Sequence, residues 1–557
     1  MAFQISPGVN VSEVDQTTVV PSLLTTAGAF AGTFAWGPAD KITLVDSEIT
    51  LVKTFGKPDA NSAISFFTAA NFLAYGNNLS IVRAVGTNSK NATGATAIQI
   101  PNSDVFSQTL LNTKNSNTYG AFIARYPGTL GNSIGVSVCA SNAEFDAWDY
   151  KNLFTSAPGT SDQALANGGA DDELHVVVID VDGKFTGAAG TILETFAFLS
   201  KAGDAKVNGA SNYYKQVIFN NSKYVYAADP VAYSSTQATW GLDSSHTFIS
   251  PINTTVHLSG GTSEIASSFD AAYDHFSNKE IVDISLVLTG DADVATQQYV
   301  IDNVANQRAD CVAFISPRYA DVVGATGDET TNIADWLTSL SRSSSFVMAD
   351  SGWKYQYDKY NNKYVWVPLN GDIAGLCVYT DAIRDPWFSP AGFNRGSIKN
   401  CIKLAWNPAK TYRDVLYAAG VNPVVSFPGQ GTVLYGDKTL QNKPSAFDRI
   451  NVRRLFITLE KSIANAAKFS LFELNDEFTR AQFVALVTPF LRDVQGRRGI
   501  TDFKVVCDST NNTGQVIDSN QFVGDIYIKP ARSINYIQLN FVAVGTGVDF
   551  TTVVGVA

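Results

Sequence analysis

The alternation of apolar and polar positions is most regular in the last quarter of the chain. One long helical pattern begins near Arg449 and reads RINVRRLFITLEKSIANAAKFSLFE, and a second follows as TRAQFVALVTPFLRDVQG. Strand patterns come next in DFKVVCD, QFVGDIYIK and ARSINYIQLNFVAV, so this region predicts a helix-plus-sheet module. At about 100° per residue, the apolar residues of the first helix gather on one side, which we expect to be buried. They are Val452, Leu455, Leu459, Ile463 and Ala466.

Earlier parts of the chain carry shorter patterns of both kinds. After the first twenty residues the pattern predicts two strands, a helix over Asn61–Tyr75 and a third strand. From residue 267 onward helix and strand patterns alternate, with a buried strand over Asp283–Leu288, a helix over Val294–Arg308 and a strand over Cys311–Ser316. That order predicts a βαβ unit within a parallel or mixed sheet.

Together these patterns predict a multidomain α/β and α+β chain. Its fold class is a mixed-sheet core with inserted β-rich outer domains and a C-terminal helix-plus-sheet assembly domain. The stretch predicted as an insert has many Gly, Ser, Thr and Asn loops and short alternating runs. The predicted boundaries are an N-terminal extended arm (1–20), a core (21–88 and 261–390), the insert (89–260), a C-terminal inner assembly domain (391–545) and a C-terminal extended arm (546–557).

Composition narrows the classes of function. Of the 557 residues 16% are charged, whereas about 25% is usual in soluble proteins. A polar, weakly charged surface suits a protein covered by neighbours, although an ordinary β-rich protein fits nearly as well. The net charge of −11 argues against broad binding to phosphates, so no direct nucleic-acid partner is predicted.

The cysteines predict neither a zinc site nor a disulfide framework. They are widely spaced and odd in number, and no CxxC pair occurs. We expect them to serve as small buried hydrophobic residues in a reducing cytoplasm. They are Cys139, Cys311, Cys377, Cys401 and Cys507.

Membrane targeting is not expected either. The N-terminus lacks a basic-then-apolar leader, so no signal peptide is predicted. Residues Gln16–Ala39 carry no charge and are long enough to cross a bilayer. Prolines, glycines and threonines make this stretch a poor helix, however, and it reads better as a strand ending in a turn at Trp36–Pro38. No stable membrane insertion is therefore predicted.

Patterns for ligand binding are weak. The segment GTVLYGDKT, from Gly431, has the glycine spacing of a phosphate-binding loop. Asp437 stands where that loop requires its lysine, and Lys438 comes one residue late. Asp180 and Asp182 resemble the start of a calcium loop, but the later acidic ligands are missing, which favours a turn between strands.

Catalytic patterns are weak as well, and the protein is predicted not to be an enzyme. His175, His246, His257 and His275 include no pair at helical ligand spacing, and no G-x-S-x-G motif occurs. Carboxylate pairs of the kind glycosidases use cannot be selected from sequence alone. No catalytic residue, cofactor or metal site is predicted.

Several segments resemble contractile-tail sheath proteins of bacteriophages (the myovirus-type family) and of related injection machines. In the C-terminal module the resemblance rests on NVRRLF, LRDVQGRRGI, FKVVCD and IKPARSINYIQLNF. Elsewhere it rests on SPGVNVSEVD, AGTFAWGPAD, NNLSIVRAVG, ARYPGTLGNSIGVSV and DPWFSPAGFNRGSI. These segments follow the family's order over nearly the whole chain.

The resemblance implies a structural subunit that polymerises around a tail tube and contracts. Conformational energy stored at assembly would drive the tube through the bacterial envelope during genome delivery. The implied partners are further copies of the chain in stacked hexameric rings, the tail tube protein, and baseplate and tail-terminator proteins. The implied location is the virion tail, assembled in the host bacterial cytoplasm. The alternatives are the sheath of a phage-derived bacteriocin or injection particle and, more distantly, a tail-associated glycan hydrolase.

Strand-forming arms are expected at both ends of the chain. Exposed strands carry unpaired N–H and C=O groups that can add to a neighbour's sheet. The resemblance implies that each arm joins the C-terminal sheet of a neighbouring subunit, whereas ordinary fraying of termini is the alternative. The expected inter-subunit strand residues are Val9, Val11, Val14, Val548, Phe550 and Val554.

A basic stripe on the first C-terminal helix is expected to face the tube. Arg454, Lys461 and Lys468 fall on one side of that helix, opposite its apolar residues. The resemblance implies a helix on the inner surface of the sheath, next to an acidic tube. A solvated helix face is the alternative.

Overall fold

The computed structural model describes residues 25–113, 118–230 and 239–539. Both predicted arms lie outside these residues. The chain divides into two compact units, residues 1–474 and 475–557. The first unit combines a core with a large insert, and the second is a small helix-and-sheet unit.

The first unit begins with strands and helices whose ends are set by caps. Ser47 starts the first helix by accepting a hydrogen bond from the Thr50 backbone N–H at 3.2 Å. Gly56 ends it with a positive φ of 78°, a conformation that glycine adopts readily. The elements are β1 (Gly28–Gly32), β2 (Ile42–Val45), α1 (Glu48–Phe55), α2 (Ala63–Leu73) and β3 (Leu79–Arg83).

Residues 90–262 form an insert whose two ends lie side by side. Lys90 and Thr262 exchange two backbone hydrogen bonds of 3.0 and 3.1 Å. The elements of the insert are α3 (Ser103–Thr109), β4 (Phe122–Ala124), β5 (Ile134–Cys139), α4 (Asn142–Phe145), α5 (Asp162–Ala166), β6 (Glu173–Asp180), β7 (Thr191–Ser200), β8 (Lys206–Val207), β9 (Ala210–Ser211), α6 (Tyr214–Asn221), β10 (Val225–Ala227) and β11 (Thr254–His257).

The insert has its own sheets and its own core. A four-stranded antiparallel sheet has the order β11-β5-β6-β7, while β4 pairs with β10 and β8 with β9. Val136 of β5 lies opposite Val256 on one side and Val178 on the other. Tyr214 and Trp240 pack edge to face against this apolar layer, with ring centroids 5.3 Å apart. The insert therefore buries its apolar residues largely within itself.

The chain then returns to the core and continues to the end of the first unit. Its elements there are α7 (Asp270–Asp274), β12 (Leu286–Leu288), α8 (Val294–Tyr299), β13 (Val312–Ile315), α9 (Tyr319–Val322), α10 (Glu329–Leu340), β14 (Val347–Asp350), β15 (Trp353–Asp358), β16 (Lys363–Pro368), α11 (Asn370–Ile383), β17 (Lys403–Leu404), α12 (Lys410–Ala418), β18 (Val421–Asn422), β19 (Val424–Phe427), β20 (Gly431–Leu434) and α13 (Ile450–Ala467). A π-helical segment, Val300–Asn306, continues α8.

A seven-stranded mixed sheet organises this core and confirms the predicted fold class. Its order is β18-β14-β13-β12-β1-β3-β2, and all pairs are parallel except β2 with β3. Successive residues of the central strands alternate between two buried faces: Phe314 belongs to one apolar cluster, and Ala313 and Ile315 belong to the other. Helices α2, α11 and α13 contribute to the first cluster, and α7 and α10 to the second.

The start of the predicted C-terminal domain needs correction. It was expected at residue 391, but β18 hydrogen-bonds to β14 and so belongs to the central sheet. Val424 and Ile450 are likewise buried in the core cluster of the first unit. Because β18 has only two residues, its alternation is too short to be recognised as a sheet strand in the sequence.

The second unit contains two predicted strands and lacks the third within its described residues. The predicted second helix and the first two strand patterns are confirmed, but residues 531–539 of ARSINYIQLNFVAV form no strand within the described part. The elements are α14 (Glu477–Gly496), β21 (Ile500–Val506), α15 (Gly514–Asp518) and β22 (Asp525–Pro530).

Candidate assembly surfaces

An apolar groove of about 540 Å³ runs between α14 and the end of β21 in the second unit. Ala481 and Ala485 lie one helical turn apart, and their short side chains leave the groove open. Pro489 has no N–H, so it cannot donate the usual helical hydrogen bond to the Ala485 carbonyl. The groove is lined by Ala481, Val484, Ala485, Thr488, Pro489, Val505, Cys507 and Asp508.

The strand beside this groove is paired on one side. β21 and β22 form an antiparallel ladder in which Phe503 lies opposite Ile528 and Val505 opposite Ile526. Within residues 475–539 no further strand pairs with β21. An extended segment from another chain could therefore pair with this edge while its apolar side chains enter the groove.

The segment after β22 exposes a group of large apolar side chains. Monomeric proteins rarely expose such groups unless they serve as contact surfaces. The exposed fractions are 82% for Ile534, 82% for Tyr536, 77% for Ile537 and 71% for Leu539. The second unit therefore offers both a groove and an exposed apolar segment.

Two of the three residues of the expected basic stripe on α13 form ion pairs with other residues of the first unit. Arg454 is buried, and its Nη1 and Nη2 donate to the two carboxylate oxygens of Asp381 at 2.8 and 2.6 Å. Burial acts to lower the pKa of Arg454, and the Asp381 carboxylate overcomes this and raises it. The expected place of Arg454 on an exposed, tube-facing stripe is thus corrected.

The two lysines of the stripe differ from each other. Lys461 donates to Asp283 at 2.8 Å and to the Ile284 carbonyl at 2.7 Å, and its side chain is 11% exposed. Lys468 is exposed. The opposite side of the helix is buried as predicted. Those buried residues are Val452, Leu455, Leu459, Ile463 and Ala466.

The expected arm residues are not among the residues that the structure describes. Val9, Val11, Val14, Val548, Phe550 and Val554 all lie outside the described residues.

The glycine-spaced segment from Gly431 is part of the core packing. Asp437 is buried, and the Lys438 side chain donates to the Tyr417 carbonyl at 2.6 Å. The Lys438 backbone N–H donates to the Asn422 side chain at 2.7 Å. These groups hold the loop against β18 and are not directed at a phosphate.

The other candidate ligands also have structural roles. His175 is buried against Phe154, with ring centroids 4.3 Å apart. Its Nδ1 accepts from the Phe198 N–H at 3.0 Å, and burial lowers its pKa, so its ring is neutral. Asp180 accepts hydrogen bonds from Ser133 and Thr186 and so fixes the loop between β6 and β7.

Burial raises the pKa of every cysteine thiol, which keeps these groups neutral. Cys401 is half-buried and the other four are buried, in agreement with the predicted packing role. Among the described residues, no group of three or more His, Cys, Asp or Glu side chains could hold a metal ion. In the same residues no helix is long and apolar enough to span a membrane.

Three family profiles match successive parts of the chain. The "Tail sheath protein Gp18 domain III N-terminal region" matches residues 25–84, the "Phage tail sheath protein central domain" residues 271–440 and the "Phage tail sheath C-terminal domain" residues 442–543. The gap between the first two corresponds to the insert. The third match begins in the segment that leads into α13.

Solved structures share the fold at low sequence identity. A sheath tail protein from Listeria innocua aligns with a TM-score of 0.54 and 12% identity, over 91% of this chain and 95% of that one. The PVC sheath complex of an extracellular contractile injection system, in its contracted state, aligns with a TM-score of 0.51 and 12% identity, over 97% and 98%.

Curated relatives are similar over their full length. The tail sheath protein of Vibrio phage KVP40 is 33% identical, with 99% of this chain and 100% of the relative aligned. The tail sheath protein of Enterobacteria phage T4 is 32% identical, with 99% of both chains aligned. The chain therefore belongs to the tail sheath protein family of contractile-tailed phages.

Proposed function

We propose that this chain assembles around a tail tube as the repeating subunit of a contractile sheath, and that contraction drives the tube through a bacterial envelope. The observation that carries the proposal is the groove beside the one-sided strand β21, in a chain of the tail sheath family. A surface that accepts a strand from another chain is what a strand-exchange polymer needs.

The proposed contact is strand exchange between subunits. Residues 1–20 and 546–557 would donate strands, and the edge of β21 with its groove would accept one of them. Each donated strand would add roughly four to six main-chain hydrogen bonds, at about 0.5–1.5 kcal/mol net apiece. That contribution is modest for one subunit, but many such contacts act together in a polymer.

The proposed source of mechanical work is the difference in free energy between two lattices. The extended lattice is metastable, and subunit contacts are collectively more favourable in the shorter, contracted lattice. The proposed partners are copies of the chain in stacked hexameric rings, the tail tube, and baseplate and tail-terminator proteins. Assembly takes place in the host bacterial cytoplasm and yields a virion tail. Exposed Lys468 is the proposed tube contact that remains from the basic stripe.

Deleting residues 1–20 tests the strand exchange. We expect the truncated chain to stay monomeric and folded, since the described core begins at Thr25. Electron microscopy with tail tube present would report polymers, and circular dichroism would report folding. Sheaths of normal length from the truncated chain would overturn the arm contact.

Filling the groove tests the acceptor side. Ala481→Leu with Ala485→Leu places apolar bulk where the donated strand would lie, so assembly should weaken at least tenfold. Gln482→Leu places the same leucine side chain at an exposed position that does not line the groove, and it should assemble like the wild type. Equal assembly of both variants would argue against the groove as the acceptor.

No catalytic turnover is part of the proposal. Incubation with cell-wall or capsule polysaccharide should release no soluble sugar, and release would favour the glycan hydrolase alternative. The alternative, an injection particle, would use the same kind of sheath subunit. A purified injection particle would carry no DNA-filled capsid, whereas a phage would carry one.

A further inference from the structure

A cleft of about 390 Å³ opens on the first unit between the end of α2 and the hairpin of β15 and β16. Its wall on the α2 side is apolar and consists of Phe67, Ala70 and Leu73. Tyr357 and Ile402 also line the cleft, and they are 47% and 57% exposed. Covering apolar surface is favourable, so an apolar chain segment would be stabilised in this cleft.

The charged side chains of the cleft pair with each other. The lining residues that carry charge are Glu48 and Lys359, and the Lys359 ammonium lies 3.0 Å from the Glu48 carboxylate. Asn71 likewise donates a hydrogen bond to the Gln356 side chain at 2.8 Å. The cleft therefore suits an occupant that carries no charge.

The rim of the cleft includes a strand edge. β15 pairs with β16 along its whole length, whereas on its other side β17 pairs only with Lys354 and Tyr355. Within the described residues no strand continues that second pairing along Gln356 and Tyr357. Such an edge can accept an extended segment through main-chain hydrogen bonds.

The chain enters the described structure at the same edge of the central sheet as the cleft. Thr25 precedes β1, and its hydroxyl donates to the Asp381 carboxylate at 2.5 Å. Leu73 and Ala74, which line the cleft, precede β3, and β3 pairs in parallel with β1. Because parallel neighbours have their amino ends at one edge, the residues before Thr25 leave the sheet on the side of the cleft.

The distance from Thr25 to the cleft is short enough for these residues to cover. The Gly28 backbone N–H donates to the Asn78 carbonyl at 2.9 Å, which joins the start of β1 to the residue before β3. Thr25 is three residues from Gly28, and Ala74 is four residues from Asn78. At no more than about 3.6 Å per residue, Thr25 therefore lies within about 30 Å of Ala74, and residues 16–24 can span that distance.

The sequence before Thr25 matches what the cleft can accept. Residues 16–24, which we call the root segment, read QTTVVPSLL and carry no charge. Pro21 favours an extended conformation at Val20, and a residue without an N–H is tolerated at the edge of a sheet. The apolar side chains of the root segment are Val19, Val20, Leu23 and Leu24.

We propose that the root segment docks in the cleft of its own subunit, extended along the free edge of β15 with apolar side chains against α2. Residues 1–15 then leave the subunit from the cleft, and they form the part of the arm that reaches a neighbour. The docking itself needs no partner. Its role in assembly rests on the proposed strand exchange, to which it adds a fixed point of departure for the arm.

Disulfide trapping in the full-length monomer tests this position. A Cys401→Ser background removes the half-buried native thiol, which lies between two lining residues of the cleft. In that background Val19→Cys or Val20→Cys should form a disulfide with Ala74→Cys on oxidation, and a non-reduced digest should show the link within one chain. Both positions are tried, because successive residues of an extended segment point to opposite sides.

The matched control for the trapping is Ala334→Cys, at an exposed position of α10 on the other face of the sheet. It should link to the root segment far less than Ala74→Cys does. No link to Ala74→Cys, or equal linking to both positions, would overturn the docking. Linked dimers in place of linked monomers would assign the cleft to the root segment of a second copy, and so would overturn docking within one chain.

Hydrogen–deuterium exchange of the monomer gives a second measurement. Ala74→Phe places a ring in the cleft from an exposed position just after α2. It should displace the root segment and speed the exchange of its amides at least tenfold. Ala334→Phe adds the same ring elsewhere and should keep the slow wild-type exchange. Equal exchange in the wild type and in Ala74→Phe would contradict the proposal.

A chain lacking residues 1–14 separates this inference from the proposed function. It keeps the root segment but loses Val9, Val11 and Val14. We expect slow exchange in the root segment and no assembly on tail tube. Normal assembly together with slow exchange would overturn the strand exchange and leave the docking standing. Fast exchange of the root segment in the wild-type monomer would overturn the docking and leave the strand exchange standing.

Discussion

Buried charges are the residues on which the first unit depends most. Lys354 and Asp372 have fully buried side chains and lie 2.9 Å apart, and Arg454 and Asp381 form a second buried pair. Desolvating two charges offsets much of their attraction, so an intact pair adds little stability. Removing one partner is costly, because it leaves the other charge buried and alone.

Arg454→Ala should therefore destabilise the first unit by about 3–5 kcal/mol. Thr25 would remain as a hydroxyl donor to Asp381, but the two charged hydrogen bonds from the Arg454 guanidinium would be lost. Urea unfolding followed by fluorescence measures the change. Lys468→Ala, at an exposed position of the same stripe, should change stability by less than about 0.5 kcal/mol. If Arg454→Ala changed the free energy of unfolding as little as Lys468→Ala, the loss of Arg454 would not leave the Asp381 carboxylate as an unpaired buried charge.

Asp350 should make the stability depend on pH. It lies buried at the end of β14 and accepts hydrogen bonds from the Ser316 hydroxyl at 2.6 Å and the Gly352 N–H at 2.8 Å. Burial raises the pKa of Asp350 to about 8. The folded state therefore keeps a proton that the unfolded state releases above its ordinary pKa near 4.

The sign of this effect follows from the raised pKa. The contribution of Asp350 to stability is complete below pH of about 4 and is lost as the pH rises to about 8, by up to about 1.4 kcal/mol per unit. Asp350→Asn should remove this slope in urea titrations across that range, and exposed Asp335→Asn should keep it. If the free energy of unfolding depended on pH in the same way after Asp350→Asn, another group would have to hold the proton.

At the scale of elements, α2 and α11 approach so closely that side-chain size decides their packing. A Cβ on Gly371 would lie 2.5 Å from the Thr68 carbonyl oxygen, which is backbone and cannot move aside easily. Overpacking of this kind typically costs about 1–3 kcal/mol.

Gly371→Ala should lower the free energy of unfolding by about that amount. Gly496→Ala, at the end of α14 with nothing within 4 Å of the new methyl group, is the matched control. We expect the control to have little effect or to stabilise α14 slightly, because alanine favours helices. Thermal unfolding would record both variants, and similar midpoints would argue against the close approach.

The elements that the sequence predicts well are those with long periodic patterns. The buried side of α13 and the helix α2, which the pattern predicts over Asn61–Tyr75, are examples. The pairing of Arg454 with Asp381 and of Lys461 with Asp283 joins residues 73 and 178 positions apart, which no local pattern reveals. Residues 531–539 alternate like a strand, and the sequence therefore predicts a third strand there. A strand forms only when a second strand pairs with it, and the alternation of one segment does not show whether such a partner strand exists.

At the scale of the whole molecule, the two compact units are joined where apolar residues are exposed. Brief chymotrypsin treatment of the monomer should therefore cut after Phe472, which is fully exposed. Mass spectrometry would identify fragments ending at residue 472 and starting at residue 473. Phe472→Ser should remove that cut. Protection of the site in assembled protein is expected, whereas cutting at equal rates in monomer and polymer would show that assembly leaves this segment uncovered.

The paired ends of the insert have a consequence for how such genes change. Because Lys90 and Thr262 already meet across two backbone hydrogen bonds, a short turn could join them without moving the strands of the core. The stretch between them is therefore a block that recombination can lengthen or exchange, and a replacement has to cover Trp36, which packs on Tyr126 and Phe185 of the insert. The same junction is a natural place to graft a foreign domain, so that each subunit of a particle displays one copy.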